Sequence, residues 1–349
     1  MQVVLAKSNF ERIGLIENAS VIWNDRFYES GEFELYMPIT QEHLELLSQS
    51  LYVIRDDNTN NIGVIQDVTL THDSDNGDNI RVTGKFASGY YLSKRVVNSQ
   101  TIIYNTIPNI IRGIVDQNLI NPSEKSRKID KIVLGTRPDT FTTNVSMQVT
   151  GDNVNNKVVE ICKAYEIGLK MPLKNNKLYL DLYQGTNRSY AQYDNPFVVF
   201  SDDYDNLDNV EYTKTTSEVI NFAYVAGEGE GSARKIVTAF NGTEPAGEER
   251  NEIWVDQRNM SSNDGEITDE ELTEQMRLQG LEELKTFTEN FSGDLLNTLG
   301  YEYNKDFFLG DIVTVQMKRW QGLYANVRII EVTESEDENG KVFSFTFEI

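Results

Sequence analysis

The chain has 349 residues, with 32 Lys plus Arg against 55 Asp plus Glu, a formal net charge of −23. So acidic a surface repels nucleic-acid phosphate and anionic bilayers, which argues against sequence-specific nucleic-acid binding and stable membrane insertion as the main task. One cysteine, Cys162, excludes an internal disulfide and a cysteine-based zinc cluster, and a prior of roughly 150 residues per domain suggests two or three domains.

At the start, MQVVLAKSNFERIG lacks the basic opening and apolar core of a secretion signal, and no run reaches the ~20 apolar residues of a membrane span. A soluble chain that is not exported by that route is expected. The next informative stretch is SVIWNDRFYESGEFELYMPIT at 20–40. Phe33, Leu35 and Met37 alternate with Glu32, Glu34 and Tyr36, the period of a strand with one face buried, and Pro38 ends it. Val21 and Trp23 share a face of the preceding strand, joined either by a tight hairpin or by a longer loop from Tyr28 to Gly31. Asn76-Gly77 and Asn339-Gly340 each lie between two β-rich runs, and Asn175-Asn176 lies in GLKMPLKNNKLYLDLYQG. Each pair suits the positive φ angles of a hairpin turn.

Three segments have helical spacing instead. In NTIPNIIRGIVDQNLINP, Pro108 suits a first turn, and Ile110, Ile111, Ile114, Val115 and Leu119 share one face. In GDNVNNKVVEICKAYEIG, Val154, Val158, Ile161, Cys162 and Tyr165 do the same, with Gly168 as a stop signal. The third, over 268–290, opens on the capping box Thr268-x-x-Glu271 and turns Leu272, Met276, Leu281, Leu284 and Phe287 inward. The division expected is 1–95, nearly all strand; 96–210, mixed helix and strand; and 211–349, strands with the helix 268–290 inserted. Exposed loops are expected within 227–270.

No catalytic set assembles from the sequence. His43 and His72 are the two histidines, each read as an ordinary surface or half-buried side chain, and Cys162 falls on an apolar helix face where a buried thiol is expected. GEGEG at 227–231 lacks the third glycine and the Lys of a phosphate loop, and DSDNGD at 73–78 has its glycine one position early for a calcium loop. No metal or cofactor is expected. FSDDYDNLDNVEY gathers Asp202, Asp203, Asp205 and Asp208 in one segment.

Several segments together resemble a known family: SVIWNDRFYESGEFELYMP, LYLDLYQGTNRS, VVFSDDYDNLDNVEY, NFAYVAGEGEGSARKIV, EIWVDQRNM and LGDIVTVQ, in order along the chain. They resemble the tail-hub proteins of long-tailed phages, of the gp37-like or XkdQ-like kind, related in fold to the central hub of contractile tails. The resemblance implies a mainly β chain with an α+β portion. Two β-barrel hub domains, 1–95 and 211–349, would flank an α/β peripheral domain at 96–210. It further implies a non-enzymatic homotrimer at the virion tail tip or baseplate, assembled in the host cytoplasm. Its partners would be the distal tail or tail-tube protein, the tape-measure protein and a tip fibre or receptor-binding protein. Such a ring forms part of a DNA exit channel, and an acidic bore would keep DNA from sticking, with Asp202, Asp203, Asp205 and Asp208 as candidate channel-facing residues. The competing readings are a tail-tip glycan hydrolase using a carboxylate pair and a host-glycan-binding module.

Overall fold

Strand alternation organises the first third of the chain. Phe33, Leu35 and Met37 are buried, as are Val21 and Trp23 on the neighbouring strand. In the computed structural model, which describes all residues except 1, 17–18, 74–76, 100, 263–266, 287, 296–299 and 339, the elements here are β1 (Val3–Ala6), β2 (Arg12–Ile16), β3 (Ser20–Arg26), β4 (Glu32–Pro38), α1 (Gln41–Gln49), β5 (Tyr52–Arg55), β6 (Gly63–Asp73) and β7 (Gly77–Phe86). β3 and β4 pair from Ser20–Tyr36 to Asn24–Glu32, so the longer of the two connections is the one formed. β6 and β7 form the hairpin expected around Asn76-Gly77, whose tip at 74–76 lies outside the described residues. α1 was not anticipated; its N-cap is Thr40, whose hydroxyl accepts from the His43 N–H at 3.0 Å.

The middle third contains α2 (Ala87–Leu92), β8 (Thr101–Asn105), α3 (Ile107–Val115), β9 (Ile132–Leu134), β10 (Val145–Val149), α4 (Val154–Ala164), β11 (Gly168–Lys170), β12 (Leu173–Lys174) and β13 (Lys177–Tyr183). The apolar faces of α3 and α4 meet over β9, β11 and β13, and Ile110, Ile111, Ile114, Val158, Ile161 and Cys162 are all fully buried there. Asn175 and Asn176 both take positive φ, 50° and 55°, in the β12–β13 hairpin. Gly168 differs from its expected role. α4 ends at Ala164 and Glu166 takes the left-handed turn, φ 51°. Gly168 instead makes room: a Cβ there would sit 2.3 Å from the Phe27 ring, and one at Gly310 would meet the same ring at 2.3 Å. Phe27 thus bolts the β3–β4 loop between the middle third and the C-terminal part.

The remainder comprises β14 (Val199–Ser201), β15 (Leu207–Thr215), β16 (Phe222–Ala226), β17 (Ile236–Ala239), β18 (Glu252–Asp256), α5 (Asp269–Glu282), β19 (Thr288–Leu295), β20 (Ile312–Met317), β21 (Leu323–Asp337) and β22 (Gly340–Glu348). α5 is shorter than the helix expected over 268–290: it opens on the predicted Thr268/Glu271 capping box, but Lys285 bridges to Ile220 and the chain is strand again from Thr288. The insertion is also more than a helix. β16, β17 and β18 form a small sheet under α5, with Gly280 allowing close approach to Val225 and Ala239.

The long sheet joins the two ends of the sequence. Its order is β15-β19-β22-β21-β3-β4-β7-β6-β5-β1-β2, with β20 and β14 branching from β21. β21 changes partners along its length: Leu323–Arg328 pairs with β20, a bulge follows at Ile330, and Glu331–Glu336 pairs with β3. Each half of the sheet wraps its own core, one around Trp23 and Phe86, the other around Phe200, Phe307 and Phe345. The chain is therefore mainly β with α/β content, and among the described residues the ladder is open at β2 and β15 where two closed barrels were expected.

The seam between the halves is held by buried charge. Arg55, 1% exposed, pairs with Glu334 at 2.8 Å and chelates Asp57 at 2.9 and 3.0 Å; its guanidinium also lies 5.3 Å from the Trp23 ring centroid. Lys341 meets the other Glu334 oxygen. Removing one member of such a set leaves an uncompensated buried charge. Glu334→Gln is expected to lower unfolding free energy by ~3–5 kcal/mol in urea titration. Asp56→Asn, at the exposed Arg12 pair, should barely move it; equal effects would show that the seam is not a buried one.

A second contact ties the insertion to the middle third. Lys157 of α4, buried, pairs with Glu160 and lies 3.6 Å from Glu282 at the end of α5. Burial pushes the Glu282 carboxyl up, to about 7, against the pull of Lys157. The folded chain then binds this proton more tightly than the unfolded one. The resulting stabilisation is complete below the ordinary carboxylate range and is lost as pH rises through about 7. Glu282→Gln should flatten the fall in urea midpoint across that window, and a variant curve parallel to the parent would refute this assignment.

Candidate assembly surface

The four acidic residues singled out in the sequence do not form one cluster. Asp202 is a structural cap: its carboxylate accepts from the Lys318 N–H at 2.8 Å and the Arg319 N–H at 3.1 Å, with the Arg319 guanidinium at 3.6 Å. Burial opposes its ionisation, but these donors outweigh burial and hold the carboxyl below its ordinary value. Asp203 pairs with the Lys318 ammonium. Asp205 sits at φ 49° in an exposed turn, and Asp208 is exposed on β15, directly opposite Asp294 of β19. Two of the four thus fasten the 318–320 turn to the β14–β15 turn, and Asp205 and Asp208 face solvent.

Beside them lies a surface that the sequence reading missed. Residues 187–197 form a loop tied down almost entirely by its own polar side chains. Asn187 Oδ1 accepts from the Ser189 N–H at 3.0 Å and hydroxyl at 2.8 Å. Gln192 Nε2 donates to the Ser189 and Asn195 carbonyls at 3.1 and 3.0 Å, and its Oε1 accepts from the Asn195 N–H at 2.7 Å. The loop is anchored to β20 by the Tyr190 N–H on Thr314 Oγ1 at 3.0 Å and by Arg188 on the buried Asp311 at 2.8 Å. What this rigid loop presents is aromatic. Tyr193 is 92% exposed, Tyr190 48% and Phe197 38%, with ring centroids 5.3 Å (Tyr190–Phe197) and 6.4 Å (Tyr193–Phe197) apart. Tyr204 bonds Tyr190 and adds a fourth ring. A contiguous exposed aromatic patch on a pre-ordered loop is the chemistry of a protein contact. The turn chemistry of Asn187, Ser189 and Asn195 was the signal that could have found it.

The residues weighed for catalysis lie apart. His43 Nδ1 is 2.8 Å from the Pro38 carbonyl oxygen on the surface of α1, and His72, also exposed, is 2.5 Å from Asp78. Cys162 is buried in the middle core, and burial pushes its thiol up to about 12. GEGEG forms the β16–β17 turn, with Gly227 and Glu228 bonded across to Lys235 and Met260. Among the described residues there is no group of three or more His, Cys, Asp or Glu that could hold a metal, and no helix is long and apolar enough to cross a membrane.

Comparison with known proteins decides the family. The family model for Siphovirus ReqiPepy6 Gp37-like protein matches residues 3–347. The chain belongs to this family. Its fold is also that of solved tail proteins. The tail protein from Neisseria meningitidis MC58 matches with a TM-score of 0.55 at 12% identity, covering 100% of this chain and 96% of that one. The 43 kDa tail protein of prophage MuSo2 from Shewanella oneidensis matches with 0.55 at 12%, covering 99% and 97%. Prophage tail protein gp18 from Listeria monocytogenes EGD-e matches with 0.51 at 12%, covering 99% and 94%. No curated protein sequence matches the chain.

The different tasks of the acidic residues can be separated experimentally. Asp202→Ala should cost ~1 kcal/mol, as for loss of a side-chain cap, while Asp205→Asn, which keeps a side chain suited to its φ of 49°, should leave the urea midpoint unchanged. The reverse ranking would remove Asp202 from the role of cap.

Proposed function

We propose that the chain is a structural tail protein acting as the hub at the distal end of the tail tube. It works as a homotrimeric ring that joins the tube to tip or fibre proteins and forms part of the DNA exit channel. The observation that carries this reading is the family match over residues 3–347. The sheet topology is compatible with it. On this reading the two sheet halves, each around its own core, correspond to the hub domains 1–95 and 211–349, and 96–210 to the peripheral domain, although β14 and Phe200, from the end of that segment, join the second half.

Assembly, not turnover, is the work proposed. The aromatic loop at 187–197 is a docking surface of the right kind, since its polar side chains tie it down locally while Tyr193 is 92% exposed beside Phe197. Partners are the tail-tube, tape-measure and fibre or receptor-binding proteins. The solvent-facing Asp205 and Asp208, with the paired Asp202 and Asp203 behind them, belong to the acidic lining of the passage, where like charge keeps DNA moving.

Light scattering of the purified chain, alone and with its tail-tube protein, tests the reading together with negative-stain imaging. Rings with a mass near three times 39.9 kDa are expected. Tyr193→Ala, at a ring 92% exposed, should weaken association with the tube protein while leaving the thermal midpoint unchanged. A chain that stays monomeric with and without that protein, or that hydrolyses cell-wall or capsule glycan, would overturn the hub.

A further inference from the structure

Where three parts of the chain meet, a cleft of about 430 Å³ opens between the loop 57–61, the β11 and β13 strands, and the loop 303–311. That volume falls within the ~300–1,000 Å³ usual for small-ligand sites. Its walls carry Tyr183, Tyr303 and Phe308. Three carboxylates also line it, and each is already engaged. Asp25 accepts from Asn58 at 2.8 Å and Asn61 at 2.9 Å; Asp57 is chelated by Arg55; Asp311 is held by Arg188 at 2.8 Å and by the Thr186 and Phe308 N–H groups at 2.7 and 3.0 Å. Two carboxylates just beyond are engaged as well: Asp181 lies 3.6 Å from Lys174 and accepts from the Thr136 N–H, and Glu334 is shared by Arg55 and Lys341.

The cation left over is Lys170. Its ammonium donates to Asn60 Oδ1 at 3.1 Å, lies 5.0 Å from the Tyr183 ring centroid, and has no ion-pair partner among the described residues. The Asn60 amide nitrogen likewise has no bond among them. In a chain of charge −23, whose carboxylates outnumber its cations, this half-buried ammonium has no carboxylate in contact among the described residues, and Asp181 and Asp25 attract it only from a distance. Desolvation pulls its pKa down, the penalty that an arriving anion would relieve.

We infer that this cleft binds a carboxylate group carried on a small apolar body, with Lys170 and the Asn60 amide receiving the carboxylate and Tyr183, Tyr303 and Phe308 flanking the body. The source is either a free small acid or an acidic side chain of a protein segment, and both present the same group to Lys170. The inference does not rest on the hub reading.

Titration calorimetry of the full chain with benzoate, with its neutral counterpart benzamide, and with a blocked pentapeptide bearing one central glutamate tests it. Saturable binding of at least one of the two acids is expected, with benzamide at least about tenfold weaker than benzoate if benzoate is the one bound. Lys170→Gln should weaken the bound acid at least about tenfold while keeping the parental thermal midpoint. Asn60→Ala serves as a second variant should Lys170→Gln fail to fold, and it too should weaken binding. Binding of benzoate alone identifies a free small acid; binding of the peptide identifies a protein carboxylate. No saturable binding of either acid by the parent up to ~10 mM, benzamide binding as well as benzoate, or unchanged affinity in the folded variant would overturn the site.

Discussion

The fold depends on one buried meeting of charges, Arg55 with Glu334, where strands from the two ends of the sequence run side by side. Glu334 stands opposite Trp23 in the β21–β3 pairing, and Arg55 reaches it from β5 beneath the Trp23 ring. Because side chains alternate faces along a strand, a slip of one residue would turn Glu334 away and strand Arg55 in the core. The pair therefore fixes register more than it adds net stability. With register fixed, the bulge at Ile330 falls where Phe27 donates its N–H, at 2.9 Å, and the Phe27 ring fits the space left by Gly168 and Gly310. One electrostatic constraint thereby sets how all three parts of the chain meet.

Much of the local structure was legible because it rests on short-range chemistry. Alternation at 32–37, Pro108 at the head of α3, the Asn175-Asn176 turn and the Thr268/Glu271 box each require only neighbours in sequence. The failures follow the same logic. α1 was hidden because its nine residues bury little more than Leu47, so no long apolar stripe announces it. α5 was read too long because its helical spacing continues past Glu282, where pairing of Lys285 with Ile220 wins. The insertion of β16–β18 was unreadable as a unit, since its parallel β16–β18 pairing joins strands about 30 residues apart. The union of both halves into one sheet depends on contacts some 300 residues apart, which no periodicity reports.

The candidate surface divides along the same line. The sequence marks Asp202, Asp203, Asp205 and Asp208 as one acidic run, but backbone geometry sends them to different tasks: Asp202 and Asp203 are spent on the 318–320 turn. Asp203 stays exposed but is paired with Lys318, and Asp205 and Asp208 face solvent. Conversely, Tyr190, Tyr193 and Phe197 look in sequence like residues for a core. They are exposed where Asn187, Ser189, Gln192 and Asn195 satisfy the loop locally, and their rings pack against one another at its surface. Composition alone cannot separate a buried tyrosine from a presented one, whereas the hydrogen bonds around it can.

The contrast between the seam and the insertion bears on how such a molecule works. At the seam, apolar packing around Trp23 is joined by a buried ion cluster in which Arg55 and Lys341 share Glu334. At the insertion, the polar link from α4 to α5 runs through Lys157, Glu160 and Glu282, and burial brings one of those carboxylates to the edge of ionisation. Local stability is therefore uneven: the β16–β18 unit and α5 are tied to the middle third by polar contacts, Gln148 to the Asn259 carbonyl, Gln275 to Ser146 and Lys157 near Glu282, the last of them sensitive to pH. That inequality follows from which buried carboxylates sit among several cations and which, like Glu282, share one lysine with a second carboxylate.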